Sequence, residues 1–414
     1  MSAEGVVGQE RTGVRERKAQ TGIIRRAPHF LANLALAVVL SACGTLTTWE
    51  IDPATLPTGR SDLAEQVEKI AAPLVTQGET PGLIVGLLLP DGTTRFYGYG
   101  TTGQPDGAPP GPDTLFAIGS LSKGFMAAIV ATMVQEGSLS WADPLGSLLP
   151  PSTQLSPDAA RITVEQLATH TSGLPRQPLD ATVLAGFVSY LFTGENFYQH
   201  LDRDAVLAYL ADFSAPDEVL PRYSNIGYGL LSHVAAVRSG RSVDDLLAER
   251  ITGPLGLTRT GYVAERLPGY DTRAIGHAGD QPKFIRRGET VPDWRFTDIL
   301  RGSAALYSCA RDLLAFAAAH VKTDDTPLGR SLTDAVRVRY PRPRQAAAAA
   351  WIADDVLGLH ITYQVGIVAG YTSYLGIDTA HHTAVVVLQN AFNWDYSAGH
   401  TLLKILATNA THPS

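Results

Sequence analysis

Two pairs of strand-forming runs stand at opposite ends of this chain, and that spacing limits its fold more than any other feature. Near one end, residues 83–89 and 94–99 read as strands separated by Pro90-Asp91-Gly92, a turn sequence that makes a hairpin of the two. Near the other end, residues 374–378 and 384–389 form a second pair, with His381-His382 in the turn. The intervening chain is helical in pattern, for example over residues 125–135, 204–211, 227–237, 243–249 and 310–319. A final amphipathic helix runs through Leu402, Leu403, Ile405 and Leu406. Strand and helix do not alternate in βαβ order, which argues against a doubly wound parallel sheet. The pattern predicts an α+β fold: an antiparallel sheet formed by both chain ends and flanked by helices, with a mostly helical subdomain inserted. With 414 residues, 45% of the chain hydrophobic and 18% charged, it can bury a sizeable core as one large domain or a core with an insertion.

The first 61 residues carry a different message. Arg15, Arg17, Lys18, Arg25 and Arg26 precede an apolar stretch over residues 30–40, which suits a signal-peptide core but falls short of the roughly 20 residues needed to span a bilayer. Leu40-Ser41-Ala42-Cys43 resembles a bacterial lipobox, in which the cysteine becomes the lipidated first residue. The alternative is a buried apolar segment that happens to end in cysteine. Residues 1–42 are therefore predicted to be a lipoprotein signal peptide, 43–61 a tether with Pro53, Pro57 and Gly59, and 62–408 the folded domain. This implies an exported lipoprotein of the cell envelope, held by lipid on Cys43 at the periplasmic face of a membrane or the outer face of the cytoplasmic membrane. The leader holds six Lys/Arg and three Asp/Glu, so a chain without it has a net charge of −10 rather than −7. That acidity disfavours nucleic acid as a partner. Of the two cysteines, Cys43 and Cys309, a lipidated Cys43 leaves Cys309 nothing to pair with.

Chemistry concentrates at Phe116-Ala117-Ile118-Gly119-Ser120-Leu121-Ser122-Lys123, which leads into an apolar helix. Ser120 and Lys123 are three residues apart, so at a helix start both face one side. A serine hydroxyl is a poor nucleophile without a base in hydrogen-bond reach. Lysine can serve when burial or nearby positive charge lowers its pKa until it is partly neutral. Unpaired N–H groups at the helix start favour charge developing on the serine oxygen. A structural serine capping the helix would produce the same spacing. The chain has no G-x-S-x-G of an α/β-hydrolase. It also lacks H-E-x-x-H or similar ligand spacing, so no metal or other cofactor is expected.

About one hundred residues later stands Arg222-Tyr223-Ser224-Asn225-Ile226-Gly227-Tyr228-Gly229. Ser120-x-x-Lys123, the segment Leu167-Ala168-Thr169-His170-Thr171-Ser172-Gly173-Leu174-Pro175 and Tyr223-x-Asn225 occur in that order. In this the chain resembles class C β-lactamases and their wider relatives, the serine D,D-peptidases, D-aminopeptidases and β-lactamase-like esterases. Pro254-Leu255-Gly256-Leu257 with Thr260, and Gly302-Ser303 through Arg311-Asp312-Leu313, look similar too, so the resemblance covers residues 62–408. It implies a β-lactamase/transpeptidase-like fold with Ser120 as nucleophile. Lys123 and Tyr223 would share proton transfer, and Asn225 would bind the substrate's acyl side chain and help hold Lys123. His170 would be structural.

The third motif departs from the family. Relatives carry Lys-Thr-Gly or His-x-Gly on a late strand, and the matching stretch here is Tyr363-Gln364-Val365-Gly366-Ile367-Val368-Ala369-Gly370. Gln364 replaces the cation and Val365 the hydroxyl. Gly366 remains, permitting close approach of a substrate backbone, and the oxyanion hole would use the backbone N–H groups of Ser120 and Ile367. His277-Ala278-Gly279 is a rival match. The cation of relatives helps bind the carboxylate of β-lactams and D-Ala-D-Ala peptides, a contact of about 1.5–3 kcal/mol. Gln364 offers only a neutral donor. The reading is a serine acyl-hydrolase working through a covalent acyl-enzyme, esterase or D-amino-acid peptidase-like, on small ester, amide or cell-wall-type peptide substrates. A true class C-like β-lactamase and a non-catalytic envelope ligand-binding lipoprotein stand as alternatives.

Overall fold

Hydrophobic runs at the two chain ends meet in one seven-stranded antiparallel sheet. The computed structural model describes residues 62–411 apart from 179–180, 219, 280–284, 323 and 394–395. The predicted signal peptide, Cys43 and the tether through residue 61 lie outside the described residues. Helix α1 (Leu63–Thr76) precedes strands β1 (Gly82–Leu88) and β2 (Thr94–Gly100). Short β3 (Phe116–Ala117) leads to α2 (Ser122–Gln135). Helices α3 (Ala181–Thr193), α4 (Arg203–Ala211) and α5 (Asn225–Ser239) belong to the inserted region. They are followed by β4 (Tyr307–Ser308), α6 (Ala310–Val321) and α7 (Pro327–Val336). The chain then runs through β5 (Ala346–Ala347), β6 (Ile352–Val356), β7 (Leu359–Val368), β8 (Tyr371–Asp378) and β9 (Thr383–Gln389) to α8 (Ser397–Thr411).

Strand order in the main sheet is β2-β1-β9-β8-β7-β6-β5. Leu83 of β1 lies opposite Gln389 of β9, and Leu88 opposite Ala384. The two-residue period sends Leu83, Val85, Leu87, Val385 and Val387 to one face. There Val67, Ala71 and Leu74 of α1 and Leu402, Leu403 and Leu406 of α8 complete a core. Ile84, Val386 and Leu388 enter the larger core on the other face, where Phe125 of α2 and Phe316 of α6 stack with ring centres 4.0 Å apart. Both β1 and β9 are buried along their whole length, so their sequences are apolar runs rather than alternating patterns. β2, at the sheet edge, is mostly exposed or half-buried.

Both predicted hairpins form, and the sheet is closed by the two chain ends as the pattern required. His381 sits in the second turn with Nδ1 2.6 Å from Asp378 Oδ2. One helix differs: over residues 243–249 the regular helix stops at Leu247 and continues as a π-turn over Ala248–Thr252. Pro254 lies just beyond, lacking the N–H that would continue the α ladder. Helix α1 was not singled out by pattern, though its buried positions fall at helical spacing. Among the described residues no helix is long and apolar enough to cross a membrane.

Candidate active site

The turn carrying Ser120 is fixed before any catalytic geometry is considered. Gly119 has φ 51°, and a side chain there would come within 2.9 Å of the Ile367 backbone, so only glycine lets the turn lie against β7. Ser122 Oγ donates to Gly119 O at 2.6 Å and accepts the Leu306 N–H at 3.0 Å. Ser120 therefore stands on a single 3-10 turn that feeds directly into α2.

Around its hydroxyl the predicted residues converge. Tyr223 Oη is 2.5 Å from Ser120 Oγ, and Lys123 Nζ is 3.1 Å from it. Lys123 is 2% exposed. Its ammonium also donates to Asn225 Oδ1 at 2.9 Å and to Ser303 O at 2.7 Å. With two acceptors fixed, a neutral amine has its lone pair left for the Ser120 O–H. Burial pushes the Lys123 ammonium below the ordinary lysine range, and the Arg176 guanidinium adds to that push. For Tyr223, burial acts upward, but the Lys123 and Arg176 cations overcome it and hold the phenol below its usual value.

Helix α5 presents Tyr223 and Asn225 because Ser224 caps it, accepting the Gly227 N–H at 2.9 Å. The His170 segment runs alongside. Pro175 O accepts the Ser224 hydroxyl, and Arg176 O accepts the Asn225 N–H at 3.0 Å. His170 accepts the Ser224 N–H on Nδ1 at 3.1 Å, its ring centre 4.6 Å from that of Tyr223. Burial, then Lys123 and Arg176, hold its pKa at about 3. It is a neutral acceptor that fixes the tyrosine's main chain.

Strand β7 supplies the third wall. A side chain at Gly366 would come within 2.1 Å of Ile118 O and 2.3 Å of Ser373 Oγ, which accounts for the glycine. Gln364 is 3% exposed. Its amide packs where a side chain on Gly124 would otherwise sit, and both amide atoms are buried without a hydrogen-bond partner. The rival His277 lies elsewhere, its N–H directed at Gly370 O and Asn390 O. Sequence reasoning missed Tyr198, whose Oη accepts from Asn225 Nδ2 at 3.1 Å, and Gly124. It also missed Arg176, whose guanidinium carbon lies 4.9 Å from the centre of the Tyr223 ring. Arg176 directly follows Leu174-Pro175, which was the available signal.

The geometry agrees with what comparison with known proteins finds. Residues 67–409 match the family model described as Beta-lactamase. D-alanyl-D-alanine-carboxypeptidase/endopeptidase AmpH of Escherichia coli (strain K12) is 30% identical over 233 residues, covering 56% of this chain and 57% of that protein. The chain thus spans just over half the length of that relative. Unguisins hydrolase ungD' of Aspergillus campestris is 26% identical over 370 residues, 83% of this chain and 64% of that one. In three dimensions the class C β-lactamase of Rhodobacter sphaeroides superposes with a TM-score of 0.68 at 24% identity, over 85% of this chain and all of that one. The chain belongs to the Beta-lactamase family.

Proposed function

We propose that this protein is a serine acyl-hydrolase that works through a covalent acyl-enzyme on Ser120, acting on small esters, amides or cell-wall-type peptides. The observation that carries the reading is the placement of Ser120 Oγ between Tyr223 Oη at 2.5 Å and Lys123 Nζ at 3.1 Å. In this scheme Ser120 Oγ adds to the carbonyl carbon while its proton passes to Lys123 or Tyr223. The backbone N–H groups of Ser120 and Ile367 take the developing oxyanion. Collapse expels the leaving group, which takes up that proton. Water then cleaves the acyl-enzyme ester, releasing the acid and restoring the serine proton. Asn225 holds Lys123 and faces the acyl side. The similarity to a D-alanyl-D-alanine carboxypeptidase/endopeptidase supports small amide substrates, and the neutral Gln364 on β7 supports esterase or peptidase-like turnover ahead of efficient β-lactam hydrolysis. Export and lipid attachment at Cys43 complete the proposal, supported by the basic flank, apolar core and lipobox-like sequence.

The test is covalent labelling with a fluorescent phosphonate or penicillin, alongside turnover of p-nitrophenyl esters, nitrocefin and D-amino-acid peptides. Ser120→Ala should abolish label and turnover while stability stays within about 1 kcal/mol, as for a partly exposed site residue. Label that persists in this variant means another nucleophile and refutes the assignment.

A further inference from the structure

Asn225 is held at both ends of its side-chain amide. Lys123 Nζ donates to Oδ1 at 2.9 Å, and Nδ2 donates to Tyr198 Oη at 3.1 Å. The two ends of an amide have nearly the same shape, so its partners decide which atom faces which way. Lys123 cannot decide it through a whole reaction cycle. As an ammonium it has only donors and selects Oδ1. As a neutral base it carries a lone pair that would accept from Nδ2 just as well. Tyr198, in the loop between α3 and α4, supplies a constraint that does not change with the lysine. Its own proton is directed to Gln177 Oε1 at 3.4 Å, which leaves it an acceptor towards Asn225. The phenol is itself fixed in place. The Tyr198 N–H donates to Asn196 Oδ1 at 2.8 Å, and the ring lies over Phe197 at 4.1 Å and meets Trp294 edge-on at 6.0 Å, centre to centre. Tyr198, Gln177 and Asn196 are all buried.

We propose that Tyr198 is a positioning residue that locks the Asn225 amide in one orientation, oxygen to Lys123 and nitrogen to the acyl side, in both protonation states of the lysine. The inference rests on the acyl-transfer reading above. Nδ2 carries two hydrogens and gives one to Tyr198, so the second can meet an acceptor on the acyl group. Without the Tyr198 hydroxyl, the amide follows the lysine. While Lys123 is charged, Oδ1 stays on it. Once Lys123 is neutral, the amide can turn, and Oδ1 then confronts the acyl acceptor with a second acceptor. Tyr198 thereby acts through Asn225 and touches neither the serine nor the reacting carbonyl.

The experiment uses two esters of one shape, p-nitrophenyl 4-oxopentanoate and p-nitrophenyl pentanoate, which differ in a single acyl-side carbonyl. The quantity read is the ratio of their kcat/KM values between about pH 6 and pH 9. In wild type the ratio should stay level. In Tyr198→Phe it should fall as the pH rises, by about fivefold to tenfold at the upper end. The other groups near Lys123, namely Tyr223, Tyr228, His170 and Arg176, act on both substrates alike and cancel in the ratio. Gln177→Met is the second variant. It keeps the phenol but removes the acceptor of its proton, so the hydroxyl turns its donor to Asn225 and the ratio should fall in the same direction. Phe197→Leu is the control, since it disturbs the packing of the Tyr198 ring without removing the hydroxyl, and it should leave the ratio level. A ratio unchanged at every pH in both Tyr198→Phe and Gln177→Met, or an equal fall in Phe197→Leu, overturns the proposal. Phosphonate labelling separates the two levels of inference. Wild-type protein that labels, with the ratio unchanged in both variants, refutes the role of Tyr198 alone. Wild-type protein that neither labels nor turns over refutes the serine reading and Tyr198 with it.

Discussion

Replacing Gln364 by methionine should make this protein more stable. The Gln364 side chain is 3% exposed, and neither its Nε2 nor its Oε1 has a hydrogen-bond partner. An amide taken out of water without compensation costs about 1–3 kcal/mol on protein mutational scales. Methionine has nearly the same length and volume and no polar atom to strand, and it tolerates irregular space. The space is set by Gly124, where a Cβ would approach Nε2 to 2.2 Å, so the replacement fills the same slot without new overlap. The expected gain is about 1–3 kcal/mol. At the usual unfolding entropy per residue, a domain of this size should melt roughly 1.5–4 °C higher. Denaturant midpoints at pH 7 for wild type, Gln364→Met and Gln364→Glu give the measurement. The glutamate variant should fall, because it buries a carboxyl in the same unpartnered slot. A drop of more than 1 kcal/mol in Gln364→Met would mean that the amide is hydrogen-bonded in solution, and the reasoning would fail.

Gly366→Ala should cost at least 1–3 kcal/mol, because the added carbon meets the Ile118 carbonyl, a backbone atom that cannot rotate away. It should also lower kcat on p-nitrophenyl esters by about 10²-fold by moving Ile367 off the Ser120 turn; activity within threefold of wild type would contradict the docking described. In acid, burial holds His320 and His400 at about 4 in the folded chain against roughly 6.5 unfolded. The unfolded state therefore binds more protons between pH 4 and 6.5, and stability should fall as the pH is lowered across that window, by about 1.4 kcal/mol per unit for each residue. Denaturant titrations at pH 7 and 5 should show a weaker dependence in His320→Leu; an identical slope would remove His320 from the account. Cys43→Ser should shift the protein from membranes to the soluble or unprocessed fraction without altering the specific activity of the folded body. Wild-type protein found in the aqueous phase of a detergent partition would dismiss the anchor.

The sheet was legible because β1 and β9 are written as runs that only a doubly covered strand can bury. The meeting of Ser120, Lys123, Tyr223 and Asn225 was legible because each touches another of them through its own side chain at a fixed spacing. What the sequence concealed was of another kind. Ser303 reaches Lys123 through its carbonyl, and any residue type could do that. Gly124 matters through the space it leaves for Gln364. Tyr198 meets Asn225 from a distant loop, and no local pattern marks such a pairing. The choice between Gln364-Val365-Gly366 and His277-Ala278-Gly279 also needed three dimensions. In three dimensions Ile367, which follows Gln364-Val365-Gly366, is the residue whose backbone lies against Gly119.

The pairing of Leu83 with Gln389 also sets a timetable. β1 emerges roughly 300 residues before β9, so until residue 389 has been made one flank of β1 stays open. An open, wholly apolar edge invites pairing with other chains, and closing so long a loop makes for slow folding. β7, whose Ile367 backbone borders the Ser120 turn, also arrives late. Nascent chain that already contains Ser120, Lys123 and Tyr223 still lacks the β7 backbone that borders the Ser120 turn. If Ser120 reacts as proposed, its chemistry waits on β7, and a molecule cut short before that strand carries the serine without its neighbour.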